Sequence, residues 1–144
     1  MKKYLKEITI KEFKTLKNKH FKLSNKLNVI TGANGTGKTT LLESIIYAFK
    51  ENVVCNFDVR PFDRDTIDTT IILNDGTMIN KKSNSRIEDL VIFVLDNCGC
   101  DLPQDKIKKY AEKLKKESKH NQTILATYQQ DIIDVADNII NLKI

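Results

Sequence analysis

Two hydrophobic periodicities alternate along the first third of the chain, one typical of strands and the other of helices. Residues 3–10 alternate apolar and polar side chains like a half-buried strand, and residues 21–23 offer a partner for it. Residues 27–31 are a short apolar run that leads directly into a glycine-rich turn. Over residues 38–50 the apolar positions recur at helical spacing, which predicts an amphipathic helix.

The remaining residues continue the alternation of strands and helices. Two β-rich runs flank Asp75-Gly76, a dipeptide that favours a type I′ hairpin turn with positive φ at both central residues. Residues 91–95 are continuously apolar, as in a strand covered on both faces, and residues 105–120 form a lysine-rich amphipathic helix. The shorter elements predicted are an edge strand at 53–57, a buried strand at 123–127, a helix at 131–136 and a closing strand at 139–142.

This order of elements predicts an α/β fold. After residue 27 strands alternate with helices, which indicates a mainly parallel sheet flanked by helices, with an antiparallel N-terminal β-arch and a β-hairpin in addition. With two prolines, five glycines and no internal repeat in 144 residues, we expect one domain over residues 1–144. No apolar run approaches the ~18 residues of a membrane-spanning helix, so we expect no membrane partner.

Composition and charge bear mainly on the cellular compartment in which we expect the protein. Charges interrupt the apolar stretch that an N-terminal signal peptide needs, and three cysteines cannot form a complete disulfide framework. Both features favour a reducing, cytoplasmic location. The net charge of +5 permits contact with nucleic acid but does not require it, because lysines mostly form a solvated surface.

One motif carries specific chemistry. Residues 32–39, GANGTGKT, match the phosphate-binding pattern GxxxxGK[ST] at every position, between an apolar strand and an amphipathic helix. Glycines let the backbone curl so that successive N–H groups face phosphate oxygens, and the helix adds its positive N-terminal end. The predicted nucleotide-binding residues are Gly32, Ala33, Asn34, Gly35, Thr36, Gly37, Lys38, Thr39 and Thr40.

Three side chains are predicted to act on the phosphates and on Mg²⁺. Lys38 would reach the β- and γ-phosphates, and Thr39 would offer its hydroxyl to the metal. Asp96, directly after the apolar run 91–95, is the expected Walker B aspartate at the end of a neighbouring strand, although a turn cap is the simpler alternative. The cofactors expected are ATP and Mg²⁺.

These residues resemble a particular family. LKEITIKEFKTLKN, followed by FKLSNKLNVITGANGTGKTTLLESIIYAF, is similar to the N-terminal head of the SMC/RecF-type ATPases of the ABC ATPase superfamily, a group that includes double-strand-break repair ATPases. VIFVLDN resembles the family's Walker B strand, and QTILATYQQDIIDVADNIINL resembles the segment that closes these heads. The resemblance implies an Mg-ATP-binding ATPase head that pairs with a second head.

The middle of the chain departs from that family. Its heads carry a serine-glycine-glycine signature that caps ATP on the opposing subunit, and no such motif is present. Between the hairpin and Val91 lies only SNSRIEDL, room for about two helical turns. The coiled-coil arm and signature helix are therefore expected to be missing, with Ser83 or Ser85 as the only candidate remnants.

Two catalytic positions also depart from the family. Asn97 stands where these ATPases usually have a glutamate that polarises water, and Tyr128 stands at the switch histidine. Because an amide can orient a water but cannot accept its proton, we expect slow hydrolysis. Lys38, Asp96, Asn97 and Tyr128 are the candidate catalytic residues. The residues considered as a substitute base are Asp101 and Asp131, in preference to Glu88 and Asp89 at the wrong end of the strand.

Other enzyme classes fit less well. A small GTPase would need an NKxD guanine-reading motif, which is absent although Asp96 begins a DxxG. A nucleotide kinase usually clamps phosphates with several arginines, whereas this chain has only Arg60, Arg64 and Arg86. Zinc binding by Cys98, Cys100, Cys55 and a histidine (His20 or His120) would need spacings that are not those of a zinc module.

A non-catalytic role is the main alternative to an enzyme. The chain would then be an ATP-dependent homodimer, or a regulatory module that docks on a partner head supplying the signature motif. Non-specific DNA contact through the lysines of residues 105–120 and of the N-terminus is a weaker expectation than a solvated helix face.

Overall fold

The computed structural model describes residues 3–13, 16–32, 37–49, 52–55, 68–80, 88–96 and 102–142. Within these ranges the chain forms nine strands and three helices. In chain order they are β1 (Leu5–Phe13), β2 (Leu16–Lys22), β3 (Leu27–Thr31), α1 (Lys38–Ala48), β4 (Val53–Cys55), β5 (Asp68–Leu73), β6 (Met78–Asn80), β7 (Ile92–Leu95), α2 (Gln104–Ser118), β8 (Gln122–Ala126), α3 (Gln130–Ile133) and β9 (Asn138–Asn141). The predicted α/β class is confirmed.

The N-terminal arch and the later hairpin form a single antiparallel sheet in the order β2-β1-β5-β6. Ile8 of β1 lies opposite Phe21 of β2 on one side and Ile71 of β5 on the other. The sequence predicted the N-terminal arch and the hairpin as separate pieces. No residue pattern within either of them indicates that β1 of the arch pairs with β5 of the hairpin. Strand β1 also extends beyond the predicted residue 10, and Phe13 at its end is buried.

The hairpin between β5 and β6 forms as expected, but with a different turn. The Gly76 amide donates to the Leu73 carbonyl at 3.0 Å, and the Leu73 amide donates to the Thr77 carbonyl at 2.9 Å. Among the described residues of this turn, only Gly76 has a positive φ, of +89°. A three-residue loop with the glycine in the left-handed region therefore replaces the predicted type I′ turn. The Asp75 carboxylate stabilises it by accepting the Thr77 amide at 2.9 Å.

The second sheet is parallel throughout, in the order β4-β7-β8-β3-β9. Val29 of β3 lies opposite Leu125 of β8 and Ile139 of β9. All five residues of β8 are buried, as expected for an inner strand of a parallel sheet covered on both faces. The short strand β4 is at the edge, as predicted.

Two clusters of buried apolar side chains hold the layers together. The larger joins the antiparallel sheet, α1 and one face of the parallel sheet, and includes Ile8, Leu42 and Ile124. The smaller lies on the opposite face of the parallel sheet, where Ile107 and Leu114 of α2 pack with side chains of β3, β8 and α3. Within the described ranges, no helix is both long and apolar enough to cross a membrane.

A buried glutamine connects the two sheets. Gln122, the first residue of β8, accepts the Leu5 amide at 2.9 Å and donates to the carbonyls of Leu5 and Ser24, each at 2.8 Å. Its side chain thus satisfies the amide and the carbonyl of Leu5 in β1, and it adds a second hydrogen bond to the Ser24 carbonyl, which also accepts the Asn28 side-chain amide at 2.8 Å. Gln122 thereby ties the parallel sheet to the antiparallel sheet, and Asn138 of β9 adds a second link by donating to the Lys22 carbonyl of β2 at 2.8 Å.

Candidate functional site

The predicted phosphate-binding residues lie at the carboxyl edge of the parallel sheet. Ile30 of β3 lies opposite Ala126 of β8, and Leu95 of β7 lies opposite Leu125 of the same strand. Because parallel strands end at the same edge, the residues that follow β3, β7 and β8 lie side by side there. Ligand sites in open α/β sheets form at this edge.

The glycine-rich turn begins and ends in backbone conformations that favour glycine. Gly32, directly after β3, has φ +150°, and Gly37, directly before α1, has φ +98°. Residues 33–36, predicted to surround the phosphates, lie outside the described residues. The two glycines provide the chain reversal from strand to helix that the motif predicts.

The N-terminus of α1 is suited to an anion. Gly37 has no side chain to cap the helix, and the Leu41 amide makes the first helical hydrogen bond, to the Gly37 carbonyl at 2.9 Å. The amides before Leu41 in this first turn therefore lack an intrahelical partner. The first turn contains no acidic residue, and Lys38 adds a positive charge to the positive end of the helix dipole. A phosphate group suits this charge and these donors.

Thr39 and Asp96 meet at this edge, as their proposed roles require. The Thr39 hydroxyl donates to a carboxylate oxygen of Asp96, with 2.9 Å between Oγ1 and Oδ2. The strand that ends at Asp96 is not the neighbour of β3, however, because β8 lies between β3 and β7. The first turn of α1 spans that intervening strand, so the two side chains meet across it.

Two consecutive residues, Thr127 and the predicted Tyr128, follow β8 at the same edge of the sheet. Tyr128 is 63% exposed, whereas the preceding Thr127 is buried and its hydroxyl accepts the Gln129 amide at 3.1 Å. The Thr127 amide in turn donates to the carbonyl of Ile30 in β3 at 3.3 Å. Thr127 was not singled out from the sequence as a residue at this edge. The signal that could have indicated it is its position directly after β8, the buried strand that lies between β3 and β7.

The candidate bases fall in different places. Asp131 lies in α3, and its carboxylate accepts a long hydrogen bond of 3.5 Å from Gln104 at the start of α2. Glu88 and Asp89 precede β7 and therefore lie at the amino edge of the sheet, as the sequence indicated. The predicted residues Asn97 and Asp101 lie outside the described residues, as do Ser83, Ser85, Arg60, Arg64 and Arg86.

The zinc alternative has no support in the described part of the chain. There, no group of three or more histidine, cysteine, aspartate or glutamate side chains is placed to hold a metal ion. Cys55 is exposed at the edge of the parallel sheet, and Cys98 and Cys100 lie outside the described residues.

Comparison with protein-family models and with protein sequences identifies a family and a relative that each match most of the chain. The model of the AAA domain family AAA_23 matches residues 7–135. The DNA replication and repair protein RecF of Clostridium acetobutylicum is 28% identical over 110 residues, which are 76% of this chain. That match covers 29% of RecF, so the chain spans less than a third of the relative's length.

Comparison with solved structures gives the same fold. An SMC head bound to the C-terminal winged-helix domain of ScpA is similar with a TM-score of 0.70 and 10% identity, covering 98% of this chain and 94% of that one. A dimeric bacterial ABC transporter cassette is similar with a TM-score of 0.51 and 14% identity, again covering 98% and 94%. At these identities the likeness concerns the fold alone.

Proposed function

The chain belongs to the AAA domain family, as an ATPase head of SMC/RecF type, and from this membership we propose that it binds Mg-ATP at the carboxyl edge of its parallel sheet. The hydrogen bond between Thr39 and Asp96 is the observation that carries the proposal. It brings together the two side chains to which the sequence motifs assign the metal, although they are 57 residues apart in the chain.

The residues at this edge fit both groups of the ligand. Lys38 and the open N–H groups of α1 would hold the phosphates as donors and positive charge. The Thr39 hydroxyl and the Asp96 carboxylate are oxygen ligands of the kind that Mg²⁺ prefers, and Asp96 can also act through a metal-bound water. Bound there, Mg²⁺ would neutralise charge on the phosphates.

We propose further that hydrolysis is slow in the isolated chain. Asn97 follows Asp96 where a general base is needed, and its amide cannot take a proton from the attacking water. Tyr128 can donate a hydrogen bond towards a phosphate from its exposed position after β8, but it cannot reproduce a histidine that titrates near neutral pH. The function is then to hold ATP more than to turn it over.

A second head is the proposed partner. The sequence has no signature motif of its own, and the dimeric ABC cassette has the same fold. We propose that ATP is held between this chain and either a second copy or a full-length head that supplies the signature. Involvement in DNA repair is proposed from the RecF relative, and stimulation of ATP turnover by DNA is its test.

The experiment is Mg-ATP binding by isothermal titration calorimetry together with steady-state phosphate release, on wild type and Lys38→Ala. We expect binding that depends on Lys38 and turnover close to the background of the variant. Clear turnover that depends on Lys38 would overturn slow hydrolysis, and no binding by the wild type would overturn nucleotide binding itself.

A further inference from the structure

The α2 side of the parallel sheet is only partly covered by helices. Helices α2 and α3 pack over β3 and β8, where Leu27, Val29 and Leu125 are buried. Toward the other edge of the sheet the covering is incomplete, because Phe93 of β7 is only partly buried and Val54 of β4 is 50% exposed. Parallel sheets are almost always covered on both faces, and among the described residues no element fully covers Phe93 and Val54 on this one, so this half of the face is a candidate docking surface.

A groove runs along the uncovered half, between the sheet and α2. It consists of two adjoining hollows of about 330 and 310 Å³ that share Phe93, Leu95, Leu114 and Glu117 as lining residues. Val54 lines the outer hollow, opposite Phe93 in the strand pairing. The part shared by the two hollows is therefore aliphatic and aromatic with one acidic side chain, and His120, Asn121 and Thr123 add polar groups to the hollow that Val54 does not line.

One wall of the groove carries a stripe of positive charge. Lys106, Lys109, Lys113 and Lys116 are all exposed on α2 at spacings of three and four residues, which place them on one side of the helix. The stripe is about 15 Å long at the rise of an α-helix. Lys113 also lines the outer hollow, so the positive stripe and the apolar floor are continuous. We call this surface the α2 groove.

We propose that the α2 groove binds an acidic amphipathic helix of a partner protein. Apolar residues on one face of such a helix would fill the hollows over Phe93 and Val54, and acidic residues beside them would face the lysine stripe. This is the helix-in-groove form of recognition, in which anchors at i, i+3, i+4 and i+7 enter an apolar groove. The groove lies on the opposite face of the parallel sheet from α1, so the proposal is independent of nucleotide binding.

Charge and chemistry distinguish this occupant from two others. A second copy of the chain would bring its own net charge of +5 against the lysine stripe, and like charges oppose that contact. Single-stranded nucleic acid would suit the lysines, and Phe93 and Tyr110 could stack on a base, but Val54, Leu95 and Leu114 make much of the remaining lining aliphatic. Glu117 lines both hollows and would repel phosphates, so the part of the partner helix that lies over Glu117 must be apolar and its acidic residues must lie beside the lysine stripe.

The test uses three fluorescein-labelled synthetic 18-residue peptides of helical design and the full chain, read by fluorescence anisotropy. The first has leucines at i, i+3, i+4 and i+7 flanked by glutamates, the second replaces the glutamates by lysines, and the third replaces the leucines by serines. We expect the first to bind and the other two to bind at least ~10-fold more weakly, because affinity needs both apolar anchors and complementary charge.

Variants locate the binding surface. Val54→Asp places a charge on the groove floor at an exposed edge position, and should weaken the acidic peptide ~10-fold or more. Lys113→Glu should weaken it severalfold and reduce its dependence on salt. Lys108→Glu is the matched control, since Lys108 is exposed on the same helix about 140° around from Lys113.

A measurement on the wild-type protein tests the same proposal without any variant that could misfold. Cys55 is exposed and lines the outer hollow, so bound acidic peptide should slow its alkylation, followed by mass spectrometry of the peptide that contains it. Failure of the acidic peptide to bind, equal effects of the two lysine variants, or unchanged Cys55 alkylation would overturn the proposal. The proposal would also be overturned if the wild-type chain bound oligo(dT) and Val54→Asp did not. Self-association of the wild type in sedimentation that is lost in Val54→Asp would overturn it in the same way.

Discussion

The Thr39 hydroxyl at the start of α1 donates a hydrogen bond of 2.9 Å to the Asp96 carboxylate at the end of β7. The bond spans β8, which lies between the strands that precede these two residues. Two short motifs, distant in the chain, therefore form one cluster of oxygen atoms beside the positive end of a helix.

Replacement of Lys38 by alanine should weaken ATP binding about 10- to 100-fold, the effect of losing one hydrogen bond to a charged group. Calorimetry with ATP and Mg²⁺ measures it. Lys22→Ala is the control, because it removes an exposed lysine from the antiparallel sheet. Equal affinities of wild type and Lys38→Ala would contradict the assigned role of Lys38.

Asp96→Asn should abolish the difference in ATP affinity between solutions with and without Mg²⁺. The amide lacks the negative charge that favours a metal ligand or a metal-bound water. Thr39→Ala should reduce this difference, while Thr39→Ser should preserve it because the hydroxyl remains. If Asp96 were only a turn cap, Mg²⁺ would strengthen ATP binding by the same factor in wild type and Asp96→Asn.

Asn97→Glu should raise ATP turnover about tenfold or more, since a positioned general base contributes at least that much to hydrolysis. Phosphate release at saturating Mg-ATP is the measurement, with and without DNA. Asn97→Gln retains an amide and should stay at the wild-type rate. If Asn97→Glu hydrolysed ATP no faster than wild type, the slow hydrolysis would be caused by the absent signature motif or by Tyr128 and not by Asn97.

Gln122→Ala should lower the free energy of unfolding by about 2–3 kcal/mol, because it removes the buried side-chain partner of both the amide and the carbonyl of Leu5. Urea denaturation measures the change. Gln130→Ala is a matched control, since its side chain makes one exposed hydrogen bond within a helix, to Asp134, worth a few tenths of a kcal/mol. If both variants lost a similar free energy of unfolding, the buried hydrogen bonds of Gln122 would not contribute more to stability than an exposed one.

Stability should fall with acid partly through Asp137. Burial tends to raise the pKa of this carboxyl, but hydrogen bonds from Lys115 and from the Leu27 amide, with the charges of Lys115 and Lys26, lower it below 3.8. A group with a lower pKa in the folded state stabilises the protein above its unfolded pKa and loses that contribution as the pH falls through the folded pKa.

Asp137→Asn should therefore destabilise the protein at pH 7 and flatten the acid limb of its stability curve, measured by urea denaturation between pH 7 and pH 2. Lys115→Met should have a similar but smaller effect, because the bond from the Leu27 amide remains. An acid limb in Asp137→Asn as steep as in wild type would contradict this account.

Most secondary structure could be predicted from local patterns. The run 27–31 was predicted with its observed bounds, and α1 begins at the predicted Lys38. These elements follow from side-chain periodicity and from the glycines at the two ends of the turn, which act within a few residues. The hairpin turn was wrong in type because the strands close around the three residues 74–76, whereas the dipeptide rule assumes a two-residue loop of Asp75 and Gly76.

The sequence by itself determined the strand–loop–helix that presents Lys38 and Thr39, and it identified Asp96 as the residue that Thr39 contacts, because each motif is encoded in a short run of residues. Only the tertiary structure decided that β8 lies between β3 and β7, that Gln122 joins the sheets, and that Val54 and Phe93 are incompletely covered by the described residues. Strand order and layer contacts depend on how the whole chain buries its apolar faces and pairs its buried backbone groups. No short segment contains that information.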